Sequence, residues 1–295
     1  MARTLEAIRR KINTAGDLQS IVRTMKGLAA ANIRQFQRAV ESLAEYRRVI
    51  ELGLQVLLKE GPGPVVLAKG ESAQRLAAVV YGSDQGMCGR FNQQITSHAL
   101  AQMDAFGVPG EDRTVLAVGG FIVPLLELAG HEVAERLTPP GSVAAITHLV
   151  QEVLLRVQDW YESEAVGQVV LFYNESLGGA LYRPYTHRLV PVDMQWLGSL
   201  QKKDWESRSL PLVTMEWRPL FSTLLHEHFF IELYRASAES LASENASRLG
   251  AMQRAERNIE ERLEQLTAQF RHQRQTSITE ELFDIVAGFE ALSQQ

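Results

Sequence analysis

Residues 249–270 read LGAMQRAERNIEERLEQLTAQF, and residues 5–43 read LEAIRRKINTAGDLQSIVRTMKGLAAANIRQFQRAVESL. In the first, Leu249, Met252, Ile259, Leu263, Leu266 and Phe270 form one apolar stripe, interrupted by Glu256. In the second, Leu5, Ile8, Ile12, Ala15, Leu18, Val22, Met25, Ala29, Ile33, Phe36, Val40 and Leu43 advance in steps of three and four. A stripe of 3.5-residue period predicts a left-handed supercoil with a second helix. The two ends of the chain supply each other with that helix. Both lie in proline-free stretches, from Ala2 to Lys59 and from Leu220 to Leu292. At 1.5 Å per residue these span roughly 85 Å and 105 Å if helical throughout. Globular helices average three or four turns, so helices this long point to reach or transmission rather than to closing a core. Antiparallel pairing follows if both arms enter a middle domain from the same end.

Between Phe270 and the last stripe (Ile278, Leu282, Ile285, Phe289, Leu292) stands Arg271-His272-Gln273-Arg274-Gln275-Thr276-Ser277, polar on every face. No Pro or Gly marks a loop there. A helix that leaves its partner and meets another surface fits better, since an all-polar helix is either exposed or held in a polar socket.

The middle changes period. Residues 76–81, 114–118 and 168–173 are short, apolar and rich in Val, and each predicts a buried strand. Helical patterns lie between them, about Asn92–Phe106, Phe121–Ala129 and Ser142–Tyr161. Strands alternating with helices predict an α/β domain, Rossmann-like, with a mostly parallel sheet covered on both faces. A further strand pair is expected from Arg183–Pro191. The cluster Gly61, Pro62, Gly63 and Pro64 marks an upstream hinge, and residues 193–219 read as a loop-rich return. The expected organisation is a coiled-coil helix over 1–60, the α/β domain over 61–219 and a second coiled-coil helix over 220–295.

Composition excludes several function classes. The chain has 295 residues and a net charge of −5, so it is not a generic polyanion binder. Residues 1–40 hold eight bases against two acids, whereas residues 280–295 hold four acids and no base. The basic face is either solvated or meets an acidic partner. Base-stacking aromatics are sparse there, only Phe36 and Tyr46, which argues against nucleic acid. No run of about 18 uncharged apolar residues predicts a membrane span. The N-terminus has no signal-peptide pattern, and the single Cys88 fits a reducing, cytosolic setting.

Catalytic motifs are absent. The turn Gly82-Ser-Asp-Gln-Gly-Met-Cys-Gly-Arg-Phe-Asn92 enters a helix as phosphate cradles do, but lacks both G-x-G-x-x-G and Gly-Lys-Ser/Thr. The alternative is a tight crossover in which Gly86 and Gly89 relieve crowding and Cys88 is a small buried residue. His226 and His228 sit two apart, a poor metal pair on a helix. No cofactor is expected.

In this order the pieces resemble one family, the gamma subunit of the F-type ATP synthase. The resemblance covers nearly the whole chain. It rests on Ile8-Arg-Arg-Lys-Ile12, Ile21, Thr24-Met25-Lys26 and Ala29-Ala-Ala31; on Ser83–Asn92; on Ala242-Ser-Glu-Asn-Ala-Ser-Arg-Leu-Gly-Ala-Met252; and above all on Arg274-Gln-Thr-Ser-Ile-Thr-Glu-Glu-Leu282 with Ile285-Val-Ala-Gly288. Asp284, Phe289 and Asn32-Ile33 depart from the family's usual residues, as on a divergent bacterial branch. The resemblance implies a non-catalytic central rotor that passes torque between an ion-driven membrane ring (the c ring) and the catalytic head of alpha and beta subunits. It implies an epsilon subunit beside the middle domain and a peripheral position on the cytoplasmic face of the bacterial plasma membrane. By matched position it implies that Met25 and Lys26 meet an acidic lever loop of the beta subunit. By the same matching, Arg274, Gln275 and Thr279 form a polar collar for a beta-subunit catch loop, and Trp217 belongs to the foot on the rotor ring.

Overall fold

The computed structural model describes residues 2–61, 75–163, 166–178, 181–205, 211 and 213–293. The hinge expected at Pro62, Gly63 and Pro64 lies outside these residues. The chain divides into two compact units, one of residues 1–28 with 249–295 and one of residues 29–248. Two helices run through both: α1 (Ala2–Glu60) and α6 (Trp217–Ser293).

In the unit of residues 29–248 a five-stranded sheet has the order β3-β2-β1-β4-β5. Its strands are β1 (Arg75–Tyr81), β2 (Arg113–Val118), β3 (Val133–Leu137), β4 (Val166–Gly178) and β5 (Leu181–Val190). The first four are parallel, and β5 runs antiparallel to β4. Successive side chains of a strand face opposite ways, and β1 shows it cleanly. Leu76, Ala78 and Val80 join a core with α2 (Phe91–Ala105) and α3 (Val123–Leu128). Ala77, Val79 and Tyr81 join a second core with α4 (Val143–Ser163), Phe36 of α1 and Leu233, Ala236, Leu241 and Ala242 of α6. A third core packs Leu54, Leu57 and Leu58 of α1 against Phe221, Leu225 and Ile231 of α6, with α5 (Met194–Lys202) over them.

Four details differ from the sequence reading. Arg183–Pro191 gives one strand, not a pair, because β4 itself extends far enough to be its partner. Strand β3 escaped notice because it is a sheet edge carrying Glu135 and Arg136, with no Val run. The return segment contains α5, whose start is capped by the Asp193 carboxylate accepting from the Gln195 amide at 2.8 Å. Helix α6 begins at Trp217, not Leu220. Pro219 sits in its first turn, where an amide hydrogen has no helical partner anyway.

Within this unit α1 and α6 lie antiparallel. Asn32 pairs with Asn245 at 3.2 Å, Arg47 with Glu232 at 2.9 Å, and Tyr46 with Glu227 at 2.6 Å. From Ala236 to Ala246 every residue of α6 is buried. Six of those eleven are polar (Ser237, Glu239, Ser240, Ser243, Glu244 and Asn245), so this helix is engulfed without being apolar.

The β1 and β2 ends meet through glycine. Gly119 holds φ +110°, and a Cβ there would stand 2.7 Å from the Ser83 amide nitrogen. Gly119→Ala is expected to cost about 2–4 kcal/mol in urea unfolding. Gly141→Ala, with nothing within 4 Å of the added carbon, should stay within about 0.5 kcal/mol of the parent.

Candidate partner-binding interface

In the unit of residues 1–28 with 249–295 the two helices again run antiparallel, and a carboxylate joins them. Glu256 accepts from Arg23 Nε at 2.9 Å and from Lys26 Nζ. Glu260 accepts from Arg23 Nη2 at 3.3 Å and from Gln19 Nε2 at 3.2 Å. The Glu256 side chain is only 14% exposed. Hydrogen bonds from Lys26 and then Arg23 hold its pKa below the usual carboxylate range. The polar gap in the stripe at Glu256 is thus filled from the opposite helix. The seam also corrects one stripe position. Leu18 is 49% exposed and Gln19 takes the inward place, bonded to Glu260. The 3.5-residue register had put Leu18 inward.

The sequence-derived residues therefore fall in three places. Met25 and Lys26 are half-buried on α1 beside Glu256. Lys26 already serves an internal acid. Arg274, Gln275 and Thr279 lie on α6 about eighteen residues further along, roughly 27 Å by helical rise. All three are exposed. The helix is unbroken through Arg271–Ser277, and Thr279 Oγ1 donates back to the Gln275 carbonyl at 2.9 Å. Gln275 and Thr279 line a shallow depression with His272, Thr276, Glu280 and Phe283. Next to it Ile278, Leu282, Phe283, Ile285 and Val286 are between 47% and 69% exposed. The expected last stripe exists as a helix face, but α1 does not cover it. The side chains of Phe289 and Leu292 lie outside the described residues.

Trp217 lies in the other unit. Its indole N–H donates at 2.8 Å to the Leu57 carbonyl, which also accepts from the Gly61 amide at 2.9 Å, and its ring stacks on Phe221 at 4.8 Å. The sequence carried no sign of this tie between the start of α6 and the end of α1. Trp217 also lines an apolar cleft of about 460 Å³ with Phe221, Leu225 and Phe229.

The glycine-bearing turn after β1 is not an open phosphate cradle. The Asn92 side chain accepts from the Ser83 amide at 3.0 Å and donates to Ser83 Oγ at 2.8 Å, which closes the turn on itself. Arg248 and Ser247 donate to the carbonyls of Gln85 and Cys88. The crowding lies at Gly82, where a Cβ would meet Ile122 at 2.4 Å, rather than at Gly86, while Gly89 supplies φ +61°. Cys88 is buried, and burial pushes its thiol pKa up. His228 stacks on Trp196 at 4.4 Å, and burial pushes its pKa down to about 4. Among the described residues no group of three His, Cys, Asp or Glu is placed to hold a metal. No described helix is long and apolar enough to cross a membrane.

A family model described as ATP synthase matches residues 4–292. An ATP synthase gamma chain from Bdellovibrio bacteriovorus is 27% identical over 98% of this chain and 99% of its own length. Another from Syntrophus aciditrophicus is 28% identical over 98% and 99%. The chain belongs to the ATP synthase gamma family. It is a non-catalytic subunit of that enzyme. Two solved structures share the fold at low identity. A chain of the Euglena gracilis mitochondrial ATP synthase (OSCP/F1/c-ring, rotational state 3) superposes with TM-score 0.69 at 17% identity, covering 99% of this chain and 95% of that one. A chain of the Tetrahymena thermophila central stalk and c ring does so with TM-score 0.56 at 19% identity, covering 80% and 99%.

Glu256 gives a pH test. Because its folded pKa is depressed, the stability it adds is present above the ordinary carboxyl value of 4.5 and is lost as pH falls through the lower folded value. Glu256→Gln should melt below the parent at pH 7 by helicity-monitored unfolding. That gap should close in acid and narrow in high salt.

Proposed function

We propose that this gamma chain turns as the central stalk of its ATP synthase, with the paired ends of α1 and α6 inside the catalytic head and the sheet-bearing unit toward the membrane ring. The observation that carries this reading is the bare face of α6 from Arg274 to Val286. Five large apolar side chains stand exposed beside a polar group, on a helix that its own partner leaves uncovered. A contiguous apolar patch rimmed by polar residues marks an interaction surface. The alpha and beta subunits supply the cover. Arg274, Gln275 and Thr279 then hydrogen-bond a beta-subunit loop, and Met25 and Lys26 lie where an acidic lever of the beta subunit passes.

Lys26 has three donors and Glu256 takes one. It can therefore face a beta-subunit acid without giving up the seam. One asymmetric stalk in a three-fold head presents a different face to each catalytic subunit, and differential contact is what biases each toward a different state. The start of α6, with Trp217 and Arg218, belongs to the foot on the c ring, and the epsilon subunit packs beside the sheet-bearing unit. Kinship with bacterial gamma chains supports a place on the cytoplasmic face of a bacterial plasma membrane, peripheral through the complex.

Reconstitution tests the reading. Adding the purified chain to its alpha and beta subunits should drive assembly and raise ATPase activity; no change in either would overturn it. In the complete membrane complex Arg274→Ala should lower the ions pumped per ATP hydrolysed. An exposed side chain costs little folding stability, so its urea midpoint should stay within about 0.5 kcal/mol of the parent. Full pumping by that variant would remove the collar role.

A further inference from the structure

The sheet has one place where a doubly wound fold normally takes a ligand. From β1 the chain winds outward to β2 and β3, then crosses back to β4 on the other side of β1. That reversal opens a crevice beyond the carboxyl ends of β1 and β4, the position at which such sheets bind small molecules. Here the crevice holds α6. Ser240 lines a small cavity with Tyr81 and Gly82 at the end of β1. Ser243 Oγ donates to the Asn174 carbonyl of β4 at 2.8 Å. Ser247 Oγ donates to the Cys88 carbonyl at 2.5 Å and accepts from the Tyr182 hydroxyl of β5 at 3.0 Å. Arg248 Nη2 donates to the carbonyls of Gln85 at 3.1 Å and Gly86 at 3.5 Å. Glu244 holds that guanidinium at 2.7 Å in a pair that is almost fully buried.

Positions 240, 243, 244, 247 and 248 share one helical face, and the bonds from Ser243, Ser247 and Arg248 end on backbone carbonyls of β4 and of the turn after β1. Apolar packing of small residues permits a helix to roll; directed bonds to fixed carbonyls do not. A roll of about 20° carries a side-chain tip some 5 Å from the axis through roughly 2 Å, enough to break every one of these bonds.

We propose that Ser243, Ser247 and Arg248 form a rotational key, which seats α6 in the sheet's ligand crevice and makes the sheet-bearing unit and the helix turn as one body. The proposal rests on the central-stalk reading but concerns a different step: the transfer of torque within the chain, before any partner of the head is touched. Ser243 and Ser247 are positioning residues that touch no nucleotide and no other subunit in this role.

The test is the double variant Ser243→Ala, Ser247→Ala, with Thr223→Ala as control. Thr223 also carries a hydroxyl on α6, but it bonds only to the Pro219 carbonyl of its own helix. In the purified full chain, amide hydrogen exchange over residues 84–90 should quicken by about fivefold in the double variant, the effect of losing the one ordinary net hydrogen bond, from Ser247 to the Cys88 carbonyl, that ends there. The control should match the parent. In the reconstituted membrane complex, ions pumped per ATP are then measured against a rising opposing ion gradient. The double variant should assemble and hydrolyse ATP as the parent does, but lose pumping at a gradient against which the parent and the control still pump.

Unchanged exchange would overturn the key, because the bonds would then hold nothing. Faster exchange with parental pumping at every gradient would overturn it too, since the clasp would be structural and carry no torque. A parent chain that neither assembles nor supports pumping would instead sink the central-stalk reading. The exchange measurement is independent of that outcome.

Discussion

Burial of α6 on all sides between Ala236 and Ala246 is the constraint around which the larger unit is organised. A helix closed in on every face normally carries apolar residues throughout. This one carries Ser-Ala-Glu-Ser-Leu-Ala-Ser-Glu-Asn-Ala over 237–246. Unpaired polar groups in such a place are expensive, and nearly every one has a named partner. Ser237 and Asn245 bond back to the carbonyls four residues earlier, Glu239 pairs with Arg235 at 2.7 Å, Glu244 with Arg248, and Ser243 with β4. Small side chains let the helix approach the sheet closely, and the polar ones fix which way round it sits. Leucines in their place would bury more area and specify less, because apolar contact tolerates a shift in register that a hydrogen bond does not.

The same logic recurs where α1 and α6 pair. Each seam carries polar residues in or beside its apolar stripe. These are Asn32 opposite Asn245 in one unit, and Gln19, Arg23 and Lys26 around Glu256 and Glu260 in the other. Polar positions in a coiled-coil stripe lower stability and select register and orientation. For helices of 59 and 77 residues that selection matters, since an apolar seam alone permits slips by a heptad. Glu256 cannot slip without leaving two cations and one carboxylate unmatched.

How much of this was legible in the sequence follows from where each residue's information lies. The central strands were plain because they are buried on both faces, which turns them into Val-rich runs such as Ala77–Tyr81. The long arms were plain because their period is local. What the sequence concealed depends on tertiary partners. Edge strand β3 is half-exposed and charged, so its pattern resembles a loop. Helix α5 is two turns long and carries Gly198, too little periodicity to register. The run from Ser237 to Asn245 resembles an exposed face, and only the surrounding sheet and α1 show it engulfed. At Leu18 the apolar period pointed inward, but the hydrogen bond from Gln19 to Glu260 turns the neighbouring position to the seam. Of the candidate interface, Arg274 and Gln275 were legible as part of a polar break in an apolar helix, whereas Thr279 came only from the family resemblance. The engagement of Lys26 by Glu256 was not, because it joins residues 230 positions apart.

The exposed end of α6 closes the physical argument. Pairing two helices buries one stripe of each and leaves the rest to solvent. Nearer the sheet, α6 is covered by α1, α4 and the strands; from Ile278 to Val286 it has no such cover and still carries Ile, Leu, Phe and Val outward. A chain adapted only to its own fold would place charge there, as it does at Glu261 and Glu264 on the same helix. Apolar residues on a bare helix make sense when the surface that buries them belongs to another molecule. Anything that binds only the folded pair then adds its binding free energy to the pair's stability. On the central-stalk reading the helix end is finished by assembly, and its sequence records the socket as much as the helix.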